Sequence, residues 1–448
     1  MDSKKIPEKF IGKKMKKYIF YKIKILLMLL PQCISNCIAN LLTAIIDKNY
    51  NRFMTKIPSA RNKINEKLDG NKMNRILIIR LDAVGDMIWT TAFIRELSKC
   101  CPTAKIDIVV RPVIRELLVN CPYINNIYAY ECTEIRNVLP CKYMRLNNKA
   151  KDYISKNMDN AYDVVFLPRL LSYGSAIENE LLALNLTSDY VVARGYSIDL
   201  FEKIRINRIR KKFSYVVEHQ KVIHEVECIL SLLDVFNNVI APCNEMELWF
   251  NGKEKIQAIN ILPDNIKQST IVAVALVGAE KCRNWPVEKY ECLFHKIYEV
   301  YGNDVIFVLC GGRDANIYAK KIKYCPNVVD ITSKTSLLQV AEIIASSDIY
   351  LGSDTGLMHM AAVGKTPILE ISNYLLKHTE HNMWQHNGAY PVRVGPWKVD
   401  NEVIQPNHGI GWCVEQCDFP ESHCIATITV EQVETQLVKF LNKYKRDK

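Results

Sequence analysis

The sequence predicts an α/β chain of two doubly wound, Rossmann-like domains facing a cleft, preceded by a basic, amphipathic N-terminal extension. Three observations predict it. From Asn74 onward short apolar runs alternate with stretches of helical periodicity, the pattern of parallel sheets covered by helices. The series breaks at a polar, proline-containing stretch, Pro263–Ser269, and then starts again. With 448 residues, 49% of them apolar, the chain has material for two cores of ordinary domain size.

In the first series Ile76–Leu81, Ile106–Val110 and Val164–Leu167 read as strands, and Met87–Lys99 and Glu225–Phe236 carry helical periodicity. In the second, the strands are Ile271–Val277, Val305–Cys310, Val328–Ile331, Ile349–Leu351 and Ile368–Ile371. Helices are expected over Pro286–Tyr301 and Leu337–Ser346, with a last one over Val430–Tyr444. The expected division is an extension over 1–70, a first domain over 74–265 and a second over 266–448. No repeat of fixed period and no low-complexity tract is present.

The net charge of +11 is unevenly placed. Residues 1–70 carry 13 Lys and two Arg against five acidic residues, which leaves 44 basic and 43 acidic residues for the rest. The globular part is therefore electrically balanced, and a nucleic-acid binder, which carries its basic stripe on the folded domain, is not expected. Nine lysines between Lys4 and Lys24 run into Ile25–Ile46, 22 residues without a charge. That run is long enough to span a bilayer, but Pro31, Gln32, Ser35, Asn36, Asn40 and Thr43 interrupt it and favour an in-plane amphipathic anchor. Its basic flank would draw it to anionic lipid on the cytoplasmic face. The alternatives are a basic tail with a helix packed on the globular part, or a secretory signal around Leu26–Leu30, which lacks a small-residue cleavage pattern.

The 16 cysteines are scattered singly, as at Cys228, Cys292 and Cys310, the habit of buried reduced thiols in an intracellular protein. One group stands apart: Cys413, Cys417 and Cys424, with His408 and His423 nearby, could supply zinc ligands. Their spacing is not that of a standard finger or ribbon, and packing of the C-terminal segment is the expected role.

Ligands of doubly wound sheets bind beyond the carboxyl ends of the strands, near helix N-termini, and two such junctions carry chemistry. The first is ILIIRLDAVGDMIWTTAFIREL, Ile76–Leu97. It has Gly85 but no GxGxxG, which argues against a dinucleotide site. Asp86 would cap the following helix, or act as a general base at the lip of a cleft. The second is IYLGSDTGLMHMAAVGKTPILEI, Ile349–Ile371. It delivers Asp354, Thr355 and Gly356 to the start of a helix, where unpaired N–H groups make an anion site and a glycine lets a phosphate approach the backbone. Asp354 suits hydroxyls of a sugar attached to that phosphate, and His359 one turn on is either a ligand or a core histidine.

These two segments, in this order, with RNWPVEKY (Arg283–Tyr290) and VLCGGRDA (Val308–Ala315), resemble the ADP-heptose:lipopolysaccharide heptosyltransferases of glycosyltransferase family nine. HEVECILSLLDVF (His224–Phe236) and HCIATIT (His423–Thr429) resemble the family too, and the likeness covers roughly Asn74–Leu441. It implies the GT-B architecture, with an acceptor domain over 74–265 and a sugar-nucleotide donor domain over 266–448. It also implies an inverting transfer from a nucleoside diphosphate sugar, ADP-heptose, with Asp86 as base and Gly85 in its loop. Arg283, where many members have Lys, and Asp354, Thr355, Gly356 and His359 fall on the donor-binding positions. The acceptor implied is a lipid-linked or lipopolysaccharide-core saccharide on the inner face of the cytoplasmic membrane, and residues 1–70 have no counterpart in the family core. The stretch DITSKTSL (Asp330–Leu337) and the strand ending Glu370-Ile371-Ser372 depart from the family pattern.

No two aspartates in the chain are separated by a single residue, so the DxD metal motif of the other large glycosyltransferase architecture is absent. The expectation is a metal-independent enzyme without a cofactor, its leaving diphosphate held by Arg283 and the N–H groups after Asp354. The rival readings are a catalytically silent sugar-nucleotide-binding or scaffold protein, which would need neither Asp86 nor Asp354, and a nucleotide-sugar epimerase of the same architecture.

Overall fold

The structure is a computed structural model that describes residues 57–133, 140–159, 161–170, 176–195, 210–219, 223–252, 258, 260–266, 268–278, 280–375, 391–407 and 423–446. Residues 1–56 of the expected extension, with Cys413, Cys417 and His408, lie outside these. Both sheets lie in one compact unit. Among the described residues no helix is long and apolar enough to cross a membrane.

The first half contains β1 (Arg75–Arg80), α1 (Val84–Cys100), β2 (Lys105–Val110), β3 (Asn126–Ala129), α2 (Pro140–Asn157), β4 (Ala161–Leu170), α3 (Ala176–Asn185), β5 (Thr187–Gly195), β6 (Tyr215–Glu218) and α4 (Glu225–Leu230). The second contains β7 (Thr270–Ala275), α5 (Val287–Tyr301), β8 (Val305–Cys310), α6 (Arg313–Ala319), β9 (Val328–Asp330), α7 (Leu337–Ala345), β10 (Ile349–Gly352), α8 (Gly356–Gly364), β11 (Ile368–Ile371), β12 (Asn401–Ile404) and α9 (Val430–Tyr444). The first sheet runs β3-β2-β1-β4-β5-β6 and the second β12-β11-β10-β7-β8-β9. Every pairing is parallel. Counted from its own first strand, each sheet has the order 3-2-1-4-5-6, so each carries a switch point where a crevice opens beyond the strand ends, at β1/β4 and at β7/β10.

The local reasons are ordinary ones. The inner strands are apolar on both faces because helices cover both: β7 and β8 are buried at every position. In α5, Val287, Tyr290, Leu293, Phe294 and Ile297 make a single buried face, and the helix stops at Gly302 with φ +55°. Ser336 and Gln339 close a reciprocal capping box at α7, as Thr429 and Gln432 do at α9. The apolar face of α9 (Val430, Val433, Leu437, Leu441) lies against the second sheet and α5. By contrast α1 is buried nearly all round, because it touches both α4 and α8 and so lies between the halves.

Expected strands and helices recur within a few residues of their predicted bounds, with one correction. Glu225–Phe236 is not one α-helix: α4 ends at Leu230 and Ser231–Val235 continues as a tighter 3-10 turn. A second correction concerns a thiol. Cys228 and Cys310 are buried as expected, but Cys292 is exposed on the outer face of α5. None of the cysteines whose side chains are described is in a disulfide.

Candidate active site

At the first switch point β1 ends on Arg80, which is 2% exposed. The guanidinium meets Asp82 at 3.3 Å and Asp86 at 3.1 Å, and Asp82 is also paired with Arg169 from β4. Asp86 stands in the first turn of α1 with a third of its side chain exposed. One carboxylate oxygen accepts from Arg80, and the other accepts from the Ala83 N–H at 3.1 Å, so it does cap the helix, from inside the first turn. Each oxygen keeps a second lone pair.

At the second switch point β10 delivers Ser353 and Asp354 to the head of α8. Asp354 is 5% exposed and accepts from Arg283 at 2.8 Å. Burial would raise its carboxyl, but Arg283 and His359 hold it below the ordinary aspartate range. Thr355 is the N-cap: its hydroxyl accepts from the Leu357 N–H at 3.1 Å and lies 3.4 Å from the Tyr350 hydroxyl. Arg283 is placed by the residues after it. Trp285 is buried and donates to the Ile428 carbonyl at 3.0 Å, and Lys289 donates to the Ala426 and Ile428 carbonyls. The RNWPVEKY and HCIATIT segments are thus joined to each other.

The two helix heads abut. A Cβ on Gly85 would lie 2.6 Å from Cδ2 of His359, and one on Gly356 would lie 2.7 Å from Cγ1 of Val84 and 3.3 Å from the Gly85 nitrogen. Glycine at 356 is therefore required by the close approach of α1, a reason absent from the sequence reading, which assigned it to a phosphate. His359 is a buried link between the halves. Its Nδ1 accepts from the Trp89 indole N–H at 3.3 Å, which puts the ring proton on Nε2, 3.7 Å from Asp354 Oδ1. Trp89 meets the same ring edge to face at 4.7 Å.

A second charged cluster lies behind Asp86. Arg194 near the end of β5 and Arg393 from the turn Pro391–Val394 both engage Glu225 at the head of α4, at 2.8 and 2.5 Å. Against a burial effect that would raise it, Arg194 and Arg393 hold Glu225 well below the carboxylate range. His224 caps α4 by accepting from the Val226 N–H, faces the Gly395 carbonyl at 3.1 Å and stacks on Trp397 at 4.2 Å. Burial pushes its pKa down to about 4, which keeps the ring neutral, as the accepting Nδ1 requires. The segment 391–398 thus straps the second half to the first.

A sequence model described as Glycosyltransferase family 9 (heptosyltransferase) matches residues 212–384. Among curated proteins the chain is 21% identical to lipopolysaccharide heptosyltransferase 3 of Escherichia coli over 337 residues, 72% of this chain and 85% of that one. Among solved structures it is similar to the family 9 glycosyl transferase of Veillonella parvula, with TM-score 0.62, 17% identity and coverage of 84% and 99%. It is also similar to an E. coli heptosyltransferase, WaaC, solved with ADP, with TM-score 0.55, 15% identity and coverage of 82% and 99%. The chain is a glycosyltransferase similar to those of family 9, whose model matches it over residues 212–384. Its two parallel sheets are those of the GT-B fold.

Within this glycosyltransferase, Gly85, Asp86, Arg283, Asp354, Thr355, Gly356 and His359 all fall on the two helix heads or the loop beside them. The cysteine group does not join them: of its members only His423 and Cys424 are described, with Nδ1 3.0 Å from Sγ, and among the described residues no three metal-binding side chains converge. Sequence reading missed Arg80, Asp82, Arg169, Arg194, Glu225, Arg393 and Glu370. The first two stood in the quoted junction, and their position at the end of β1 was the available signal.

Proposed function

We propose that this glycosyltransferase moves heptose from a nucleoside diphosphate sugar, ADP-heptose, to a saccharide of a lipid-linked or lipopolysaccharide-core acceptor, with inversion and without a metal ion. The observation that carries it is the abutment of the two helix heads, which puts the Asp86 loop against the Asp354–Gly356 loop at the shared mouth of both crevices. The names of the relatives support the sugar and the acceptor, and the ADP-bound relative supports the base.

In this reading the acceptor hydroxyl oxygen attacks the anomeric carbon from the face opposite the diphosphate, and Asp86 takes its proton. The bond from the anomeric carbon to the diphosphate oxygen breaks, and its electron pair leaves with the diphosphate. Arg283 and the amide groups of Thr355 and Gly356 stabilise that charge, each well-placed donor contributing about 3 kcal/mol. Asp354 orients the sugar and Arg283 together. Residues 74–265 serve the acceptor and 266–448 the donor, and the basic residues 1–70 hold the enzyme on the anionic inner face of the membrane.

The test is a thermal-shift screen of ADP-, GDP-, UDP- and CMP-sugars followed by turnover of the stabilising donor in EDTA, with the anomeric configuration of the product read by NMR. ADP-heptose should stabilise, and EDTA should leave turnover unchanged. Activity lost in EDTA and restored by Mg²⁺, or a product with retained configuration, would overturn the mechanism.

A further inference from the structure

Beneath the head of α8 lies a carboxyl that the reading above does not use. Glu370, on β11, is 1% exposed and pairs across the sheet with Gly352, so no side chain of β10 separates it from the Ser353–Thr355 turn. The carboxyl bonds to Ser372, but its Oε2 has no hydrogen-bond partner among the described residues, and neither has the hydroxyl of Ser353, next to Gly352 in sequence and itself 1% exposed. Ser353 Oγ stands 3.4 Å from where a Cβ on Gly278 would be, and Arg283 stands 3.0 Å from the same point. Two buried polar atoms without partners therefore lie in the floor that leads to Asp354, and both Asp354 and Arg283 act electrostatically on Glu370; such atoms are costly unless they have work to do.

The charged and titratable groups around Glu370 come from each neighbouring element. Asp354 stands at the end of β10, Arg283 precedes α5, Tyr350 is on β10, and His359 is on α8 behind Asp354. On β12 the neighbour is Val403, with the exposed Glu402 one position back. We propose that Glu370 is a positioning residue of the donor site: a neutral, hydrogen-bonding carboxyl that sets the charge under Asp354 and Arg283 and through them the hold on a nucleoside diphosphate. Burial and the neighbouring Asp354 push its pKa up to about 8. Below that pH the floor holds one negative charge, on Asp354. Above it a second appears, Arg283 is drawn to the floor, and an incoming diphosphate meets repulsion.

This inference rests on the donor-site reading, and the experiment separates the two. ADP binding to the full chain is measured by calorimetry from pH 6.5 to 9.5 for wild type, Glu370→Gln, Glu370→Met and Arg283→Ala. Wild-type affinity should fall about tenfold across pH 8, the equivalent of one pKa unit of coupling. Glu370→Gln should keep its neutral-pH affinity throughout. Glu370→Met, which serves if the Gln variant does not fold, should bind more weakly at every pH and also lack the step. A wild-type step retained in either variant overturns the inference while leaving the donor site intact, provided Arg283→Ala still weakens ADP. If Arg283→Ala binds ADP normally, the donor-site reading fails and this inference with it.

Discussion

Replacing Asp86 with Asn separates a base from a cap, and the geometry sets both magnitudes. Asn keeps one oxygen, which can still accept from the Ala83 N–H, but it loses the charge that faces Arg80 at 3.1 Å. Breaking a buried pair costs about 3–5 kcal/mol when a charge is left alone. Here Arg80 keeps Asp82 at 3.3 Å. The loss is then the difference between a charge-assisted and a neutral hydrogen bond, about 1 kcal/mol, a few degrees in melting temperature at most. The chemical effect is larger: removal of a general base costs about 10²- to 10⁴-fold in rate, or about 3–5 kcal/mol of barrier. The assay compares initial rates at saturating donor, with a single-turnover measurement to isolate chemistry, alongside ADP affinity and a thermal melt. Turnover should fall by about 10²-fold or more with ADP affinity near wild type. A folded Asn variant with near-normal single-turnover rate would refute the assignment and leave Asp86 as a helix residue that steadies Arg80.

Three more outcomes are expected. Arg283→Ala leaves the carboxylate of Asp354 with His359 alone, so ADP affinity should drop in Arg283→Ala and in Asp354→Ala, and the double variant should fall short of the summed losses by about 1–2 kcal/mol; additive losses would mean the 2.8 Å pair does not act as a unit. The coupling is set below that of a fully buried pair because the Arg283 side chain is 23% exposed. Gly85→Ala drives a methyl to 2.6 Å from His359, so it should destabilise by about 1–3 kcal/mol and weaken donor binding, and a wild-type melt would contradict the packing. The raised pKa of Glu370 means its contribution is fully present below the unfolded value near 4.5 and is lost as pH rises through about 8. Glu370→Gln should therefore gain on wild type by up to about 1.4 kcal/mol per pH unit across that window and hold a constant lead above it; a lead that does not change with pH would mean Glu370 folds ionised.

What was legible in the sequence follows from what periodicity can report. Ile76–Ile79 and Val305–Leu309 are buried on both faces, so they read as strands at sight. β5 begins Thr187-Ser188-Asp189 and β12 is Asn401-Glu402-Val403-Ile404, and their polar residues hid them. In α2, Pro140–Asn157, the apolar stripe is narrow, with Leu146, Ala150 and Ile154 set singly among polar residues, and so it was weak to read. In the site, Asp86, Asp354 and Arg283 were visible because strand-to-helix junctions concentrate chemistry in a few consecutive residues. Arg194, Glu225 and Arg393 were not, because their pairing joins positions 31 and 168 residues apart and no local pattern encodes it. Glu370 was noticed only as a departure from a family pattern, since a buried carboxyl within Ile368–Ile371 has no periodic signature.

The bond from Trp89 to His359 has a practical consequence. Indole emission is sensitive to an adjacent imidazole, and this imidazole touches the carboxylate proposed to orient the donor sugar. With the other five tryptophans replaced, intrinsic fluorescence of Trp89 is therefore expected to report occupancy of the proposed donor site without an added dye. It joins the helix that carries Asp86 to the loop that carries Asp354, so one signal follows both halves during a turnover.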